Sequence, residues 1–208
     1  MPATEEMTEL YPNGQVREKY TLNGGKLDGL VSSYSPEGEL LHTAQFVQGV
    51  LTGETVTYAP DGSLAQKANF KDGKLEGELV TFVAGRPTMK ANYKAGKQEG
   101  TTVFLSPAGA VVAKTLYKGG KLEGMSSWFG PNGQVARTSL YSNGLLNGET
   151  LEYFPNGKLR TSSIYKDDLL HGEMKTFTED GKLKQTVNYH EGKQQSALSN
   201  QPSALKRR

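Results

Sequence analysis

The side chains able to do chemistry are few, and they do not converge. His42, His171 and His190 fall at unrelated points and lack the spacing of metal ligands. The carboxylates Glu54, Glu78, Glu149 and Glu173 stand at one recurring position, whereas an acid–base pair needs a unique pocket. Lys74, Lys97 and Lys121 recur in the same way. Ser126-Ser127 follows Gly124, but no Gly-x-Ser-x-Gly elbow is formed. No Gly-x-Gly-x-x-Gly opens a helix, so the glycines are not a phosphate cradle. Without cysteine there is no thiol nucleophile, disulfide or thiolate metal site. These residues predict a protein that is not an enzyme and takes no cofactor and no metal.

Composition narrows the class further. The 208 residues include 24 Lys plus Arg and 22 Asp plus Glu, a net charge of +2 that predicts no nucleic-acid partner. Apolar residues make up 35% and there are 25 glycines, which argues against a thick helical or α/β core. No apolar run approaches the roughly 18 residues of a spanning helix. Met1–Leu10 is acidic and has no apolar signal-peptide core, so no signal peptide is expected in the chain as given. The compartment on that basis is cytoplasmic, or periplasmic if a leader has been removed.

What organises the chain is a repeat of 24 residues. Gly14, Gly38, Gly62, Gly85, Gly109, Gly133, Gly157 and Gly181 form one column, with a single shorter step at Val83-Ala84-Gly85. Gly25, Gly49, Gly73, Gly96, Gly120 and Gly144 form a second, in which Asp168 replaces glycine. A third runs from Gly29 and Gly53 to Gly172. The aromatics keep the same period. Tyr34, Tyr58, Phe82, Phe129, Tyr153 and Phe177 make one column, with Leu105 in its gap; Phe46, Phe70, Tyr93, Tyr117, Tyr141, Tyr165 and Tyr189 make the other.

Each repeat predicts a β-hairpin. Glu54–Tyr58 alternates polar and β-branched residues, Pro60-Asp61-Gly62 suits a type I turn closed by a bulge at glycine, and Leu64–Phe70 returns. The expected fold is all-β: an elongated, curved, antiparallel meander of about eight hairpins, roughly 80 Å long. Residues 1–9 are expected as a lead-in, 10–192 as the array and 193–208 as a disordered basic tail ending Lys206-Arg207-Arg208. Pairing Tyr58 with Leu64 and Val56 with Gln66 puts Tyr58, Leu64, Ala68 and Phe70 on one concave face. Both aromatic columns then lie there, first of all as a packing device. The second turn stays open: Asp72-Gly73 as a two-residue turn sets Leu75 opposite Phe70, and a bulged turn sets it on the other face, with Gly77 as a possible kink.

The other face starts polar, at Thr57, Lys67 and Asn69, and then changes. Phe104, Val112, Leu116, Trp128, Leu140 and Ile164 occupy the same positions farther along and predict an apolar contact patch. Tyr93, Tyr117, Tyr141 and Tyr165 on the concave face are the second set of candidate contacts.

The repeated string, seen from Phe70 to Leu79 and from Tyr141 to Leu159, resembles the MORN-repeat variant, in particular bacterial multi-repeat proteins of the YwqK antitoxin family. The resemblance spans about residues 10–192. It implies an elongated hairpin meander, protein–protein contact and, in some bacterial members, neutralisation of a toxic effector enzyme as an antitoxin or immunity protein. It also implies a membrane-lipid role in eukaryotic relatives. The alternatives to an antitoxin are therefore a lipid-surface binder and a scaffold that self-associates through its edge strands. Val83–Pro87, Leu105 and Asp167-Asp168 depart from the pattern.

Overall fold

The computed structural model describes residues 3–195. The segment 196–208 of the expected tail lies outside the described residues. All regular structure in them is β: sixteen strands of six residues or more and four of two residues, joined in one open antiparallel sheet. Consecutive long strands pair with each other in chain order, so the sheet is a meander. No helix among the described residues is long and apolar enough to cross a membrane. The first strand, Thr4–Leu10, begins within the expected lead-in and ends at the first residue of the expected array, and Lys193–Gln194 pairs back onto Leu183–His190.

Both kinds of turn are written in the sequence. At the Pro-Asp-Gly loops the Gly62 amide donates to the Ala59 carbonyl at 2.9 Å, and the Ala59 amide donates to Ser63 at 2.8 Å. Asp61 Oδ1 accepts from the Ser63 amide and hydroxyl, which holds the Asp61 carboxyl below its ordinary range. At the other end Asp72 (φ 52°) and Gly73 (φ 73°) are both left-handed, the geometry of a two-residue hairpin turn. That turn sets Leu75 opposite Phe70, which decides the alternative left open by the sequence. The ladder then slips between Ala68 and Phe70, where Gly77 absorbs the extra length at φ 83°.

Successive repeats are stitched along both rims. The Gly73, Gly96, Gly120 and Gly144 amides each donate to a carbonyl of the preceding repeat, at 2.8–2.9 Å. Beside them Glu76, Glu99 and Glu123 accept from the amides of Ala95, Gly119 and Asn143. At Asp168 an aspartate takes the glycine position with φ 67°, and its carboxylate accepts from the Leu146 amide at 2.7 Å. On the opposite rim Asn132 and Asn156 donate to the carbonyls of Pro155 and Glu179 in the next turn. Replacing Glu99 by alanine is expected to cost about 1 kcal/mol and to speed hydrogen exchange at the Gly119 amide severalfold. Unchanged exchange there would show that the contact is not populated.

The expected pairing of Val56 with Gln66 is not found. Val56 pairs with Lys67 and Thr57 with Gln66, while Tyr58 does pair with Leu64. One step from Thr57 to Tyr58 is matched by two from Gln66 to Leu64, so Ala65 is an inserted residue. Such an insertion reverses the side-chain parity of everything beyond it. The two aromatic columns therefore lie on opposite faces. We call the side bearing Phe70, Tyr93, Tyr117, Tyr141 and Tyr165 the front. Tyr34 and Tyr58 alternate with Thr57-type positions and fall on the back; Tyr34 lines a depression there with Thr8, Lys19 and Ser32.

A single sheet has no second layer to bury its core, and this one solves the problem with size. On the front a median row of small side chains runs between bulkier rows. Ala44 (3%), Ala68 (2%), Ala91 (0%), Thr102 (0%), Ser126 (1%) and Ser139 (0%) are the most sheltered residues of the array. Each return-strand aromatic packs opposite a glycine of the preceding strand: Gly53 with Phe70, Gly100 with Tyr117, Gly148 with Tyr165.

Candidate protein-binding face

One front row can be followed pair by pair across the sheet. From Thr57 it passes through Gln66, Thr81, Met89, Phe104, Ala113, Trp128, Arg137 and Glu152 to Thr161. Polar or charged side chains fill both ends. Between Thr81 and Arg137 the row turns apolar over four consecutive strands, Met89, Phe104, Ala113 and Trp128, about 14 Å at the usual strand spacing. In-strand alternation places Tyr93, Tyr117 and Tyr141 on the same face, beyond the small floor residues Ala91, Thr102, Thr115, Ser126 and Ser139. Phe104, Trp128 and these tyrosines are half-buried, so each keeps an open surface.

The Trp128 ring is held from one side. The Arg137 guanidinium lies 5.2 Å from its centroid, a cation–π distance. Arg137 Nε donates to Ser139 Oγ at 3.1 Å, and Thr150 Oγ1 donates to the same oxygen at 3.0 Å. Burial raises the Tyr141 hydroxyl pKa, with nearby Arg137 opposing the shift, so the phenol stays a neutral donor at neutral pH. Two floor hydroxyls, Thr115 Oγ1 and Ser126 Oγ, are buried without a hydrogen-bond partner among the described residues. Earlier repeats carry Ala68 and Ala91 in this row. Ser126→Ala is therefore expected to raise stability by about 1 kcal/mol, read as a higher melting temperature. Ser139→Ala, which removes the acceptor for Arg137 and Thr150, is expected to lower it by about as much.

The expected patch is divided by the sheet. Phe104 and Trp128 are on the front with Tyr93, Tyr117, Tyr141 and Tyr165, not on a face of their own. Leu116 pairs with Thr101, Leu140 with Met125 and Ile164 with Glu149, all on the back. The same inserted residue explains the division: the sequence parity put Thr57 and Lys67 together, and the ladder separates them. Val112 is itself the insertion of its hairpin, between the pairs Leu105–Val111 and Phe104–Ala113, and is 39% exposed.

The back-face residues have a structural task. A Cβ built on Gly124 would lie 3.1 Å from Leu116 Cδ2, one on Gly148 3.1 Å from Leu140 Cβ, and one on Gly172 3.6 Å from Ile164 Cβ. Leu116, Leu140 and Ile164 thus cover kinked glycine backbone. Met89 on the front and the 59%-exposed Met125 on the back were missed by sequence reasoning, because neither sits in a recurring apolar column.

Comparison with known proteins bears on the repeat. Residues 51–72, 122–143, 146–167 and 170–191 match the family model described as MORN repeat variant. Three of the matches are nearly contiguous, from the Trp128 hairpin to the end of the sheet. No curated protein matches the chain. Among solved structures, an alternansucrase in complex with isomaltononaose is similar at 15% identity with a TM-score of 0.16; the match covers 88% of this chain and 17% of that one. This chain thus spans under a fifth of the length of that enzyme. The fold is thus a β-hairpin repeat array, four of whose repeats match the MORN repeat variant.

Proposed function

We propose that this is a non-catalytic protein-binding array, and that its partner is a toxic effector enzyme which it neutralises by covering the active site, as an antitoxin or immunity protein does. The observation that carries the binding part is the apolar interval Met89–Phe104–Ala113–Trp128 in an otherwise polar row, closed by Arg137 and Glu152. An aromatic centre with a charged rim is the composition of a protein interface. A standard interface needs about 800 Å² per partner. Six strands at the usual spacing, each of eight residues, present a patch of that order. The effector part rests on the resemblance of the repeated string to bacterial antitoxins. The carboxylates favour a structural use: Glu152 pairs with Arg160, Glu54 with Lys67 and Glu173 with Lys175, while Glu76, Glu99 and Glu123 hold neighbouring turns.

Inhibition tests the proposal. The chain retained by this protein from a lysate of its own organism is purified, and its enzymatic activity is titrated with full-length protein. A linear fall to zero at one equivalent is expected. A retained chain whose activity is untouched overturns the antitoxin role, and a lysate that returns only the protein itself overturns partner binding.

A further inference from the structure

The two ends of the sheet complement each other. Thr4–Leu10 pairs on one side only, with Val16–Asn23. Leu183–His190 pairs with Leu169–Phe177, and Lys193–Gln194 covers only its last residues, so Leu183–Val187 has no partner on its outer side among the described residues. In the repeat, Thr4–Leu10 holds the position of Gly29–Tyr34, and Leu183–His190 that of Val16–Asn23. Everywhere inside the array, a strand of the second kind is followed by one of the first. We propose that a second copy of this chain supplies it: Thr4–Leu10 of one copy pairs antiparallel with Leu183–His190 of another, in the register that joins successive repeats.

That register is fixed by the internal junctions. Lys19 pairs with Ser32, and Ala44 with Thr55. Carried to the ends by the period, these pairs become Thr186 with Thr8 and Val187 with Met7, and Gln185 falls opposite Glu9. Met7 joins the front row that Val187 ends. Leu10 and Leu183, 58% and 57% exposed, meet at one rim. Charge sets the polarity. Thr4–Leu10 carries Glu5, Glu6 and Glu9 and no base, and Leu183–His190 carries Lys184 and no acid. Two acidic strands brought together repel, whereas unlike ends attract. The contact is heterologous, so it joins copies head to tail and extends beyond a dimer, into a ring where the rotation between copies closes and a filament where it does not.

The absence of cysteine makes this directly testable. The full chain carrying Thr8→Cys and Thr186→Cys is oxidised and run on a non-reducing gel. A ladder of dimer, trimer and higher species is expected; the two sites lie at opposite ends of one molecule, so they cannot bridge within it. Thr8→Cys mixed with Thr186→Cys should stop at a dimer, and each single variant should stay monomeric. Thr8→Cys with Val187→Cys, on opposite faces, should give no ladder. Absence of a ladder in the first variant overturns the proposal, as does dimerisation of Thr8→Cys alone, which would mean like ends meeting. A ladder that forms only after residues 196–208 are deleted also overturns it for the full chain, because that segment then covers the edge.

Discussion

Alanine at Gly148 is expected to lower the stability of the array by about 2–4 kcal/mol, more than alanine at any other glycine of its column. Two costs combine there. The backbone has φ 119°, where an L side chain is strained. The added Cβ would also meet Leu140 Cβ and Cδ1, both at 3.1 Å. A Cβ is fixed to its own backbone, so Leu140 cannot rotate clear and the strands must part. Gly124 has the less severe version: its neighbour at 3.1 Å is Leu116 Cδ2, the free end of a side chain that can change rotamer. Gly77 has open space and φ 83°, so alanine costs only the backbone term, about 1–2 kcal/mol. The expected order of melting temperatures is therefore Gly148→Ala lowest, then Gly124→Ala, then Gly77→Ala. Because each repeat is held mainly by its neighbours, lost hydrogen-exchange protection should centre on the strands Val135–Ser142, Leu145–Tyr153 and Leu159–Lys166. Equal melting of the three variants would mean that Leu140 does not pack on Gly148 as described.

Removing the Trp128 side chain is expected to weaken partner binding by about 2–4 kcal/mol, a 30- to 1000-fold rise in Kd, while circular dichroism stays that of the folded sheet. Trp128 combines the properties of an interface anchor. It is half-buried, it sits in the apolar interval between Ala113 and Arg137, and one side of its ring is already held by the guanidinium. Phe104, next but one in that row, is expected to matter nearly as much. Arg137→Lys keeps the charge but loses both the planar stack and the bond to Ser139, so a smaller loss of affinity is expected from it. Leu140→Ala provides the contrast: on the back face it should lower stability by uncovering Gly148 and leave affinity within about twofold. Isothermal titration with the purified partner measures all four.

The period, the hairpin in each repeat and the geometry of the Pro-Asn-Gly turns were legible because each depends on residues with strong local preferences. Pro60, Asp61 and Gly62 specify a turn wherever they stand. The rims were partly legible. Asn132 and Glu99 recur for a reason, but their partners are backbone groups of the next repeat, which a pattern of side chains does not display. What escaped was the division of residues between faces. It depends on one inserted residue per hairpin, occupied by Ala65, Val112, Ala136 and Arg160 in different repeats. A bulge made by αR or β backbone asks for no particular side chain, so it leaves no mark in composition. That single unseen residue moved Phe104 and Trp128 to the tyrosine side and left Leu116, Leu140 and Ile164 behind. Asp168 was visible as an exception; its bond to the Leu146 amide explains why glycine is not required there.

Binding through the front face is the central claim, and comparing baits tests it most directly. Full-length protein, Trp128→Ala and Leu140→Ala, each shown to be folded, are used in parallel to retain chains from a lysate of the source organism, with the retained amounts quantified. One chain held in stoichiometric amount by the first and third baits, and lost from the second, is the expected result. Loss with Leu140→Ala but not with Trp128→Ala would place the contact on the back face and contradict the account.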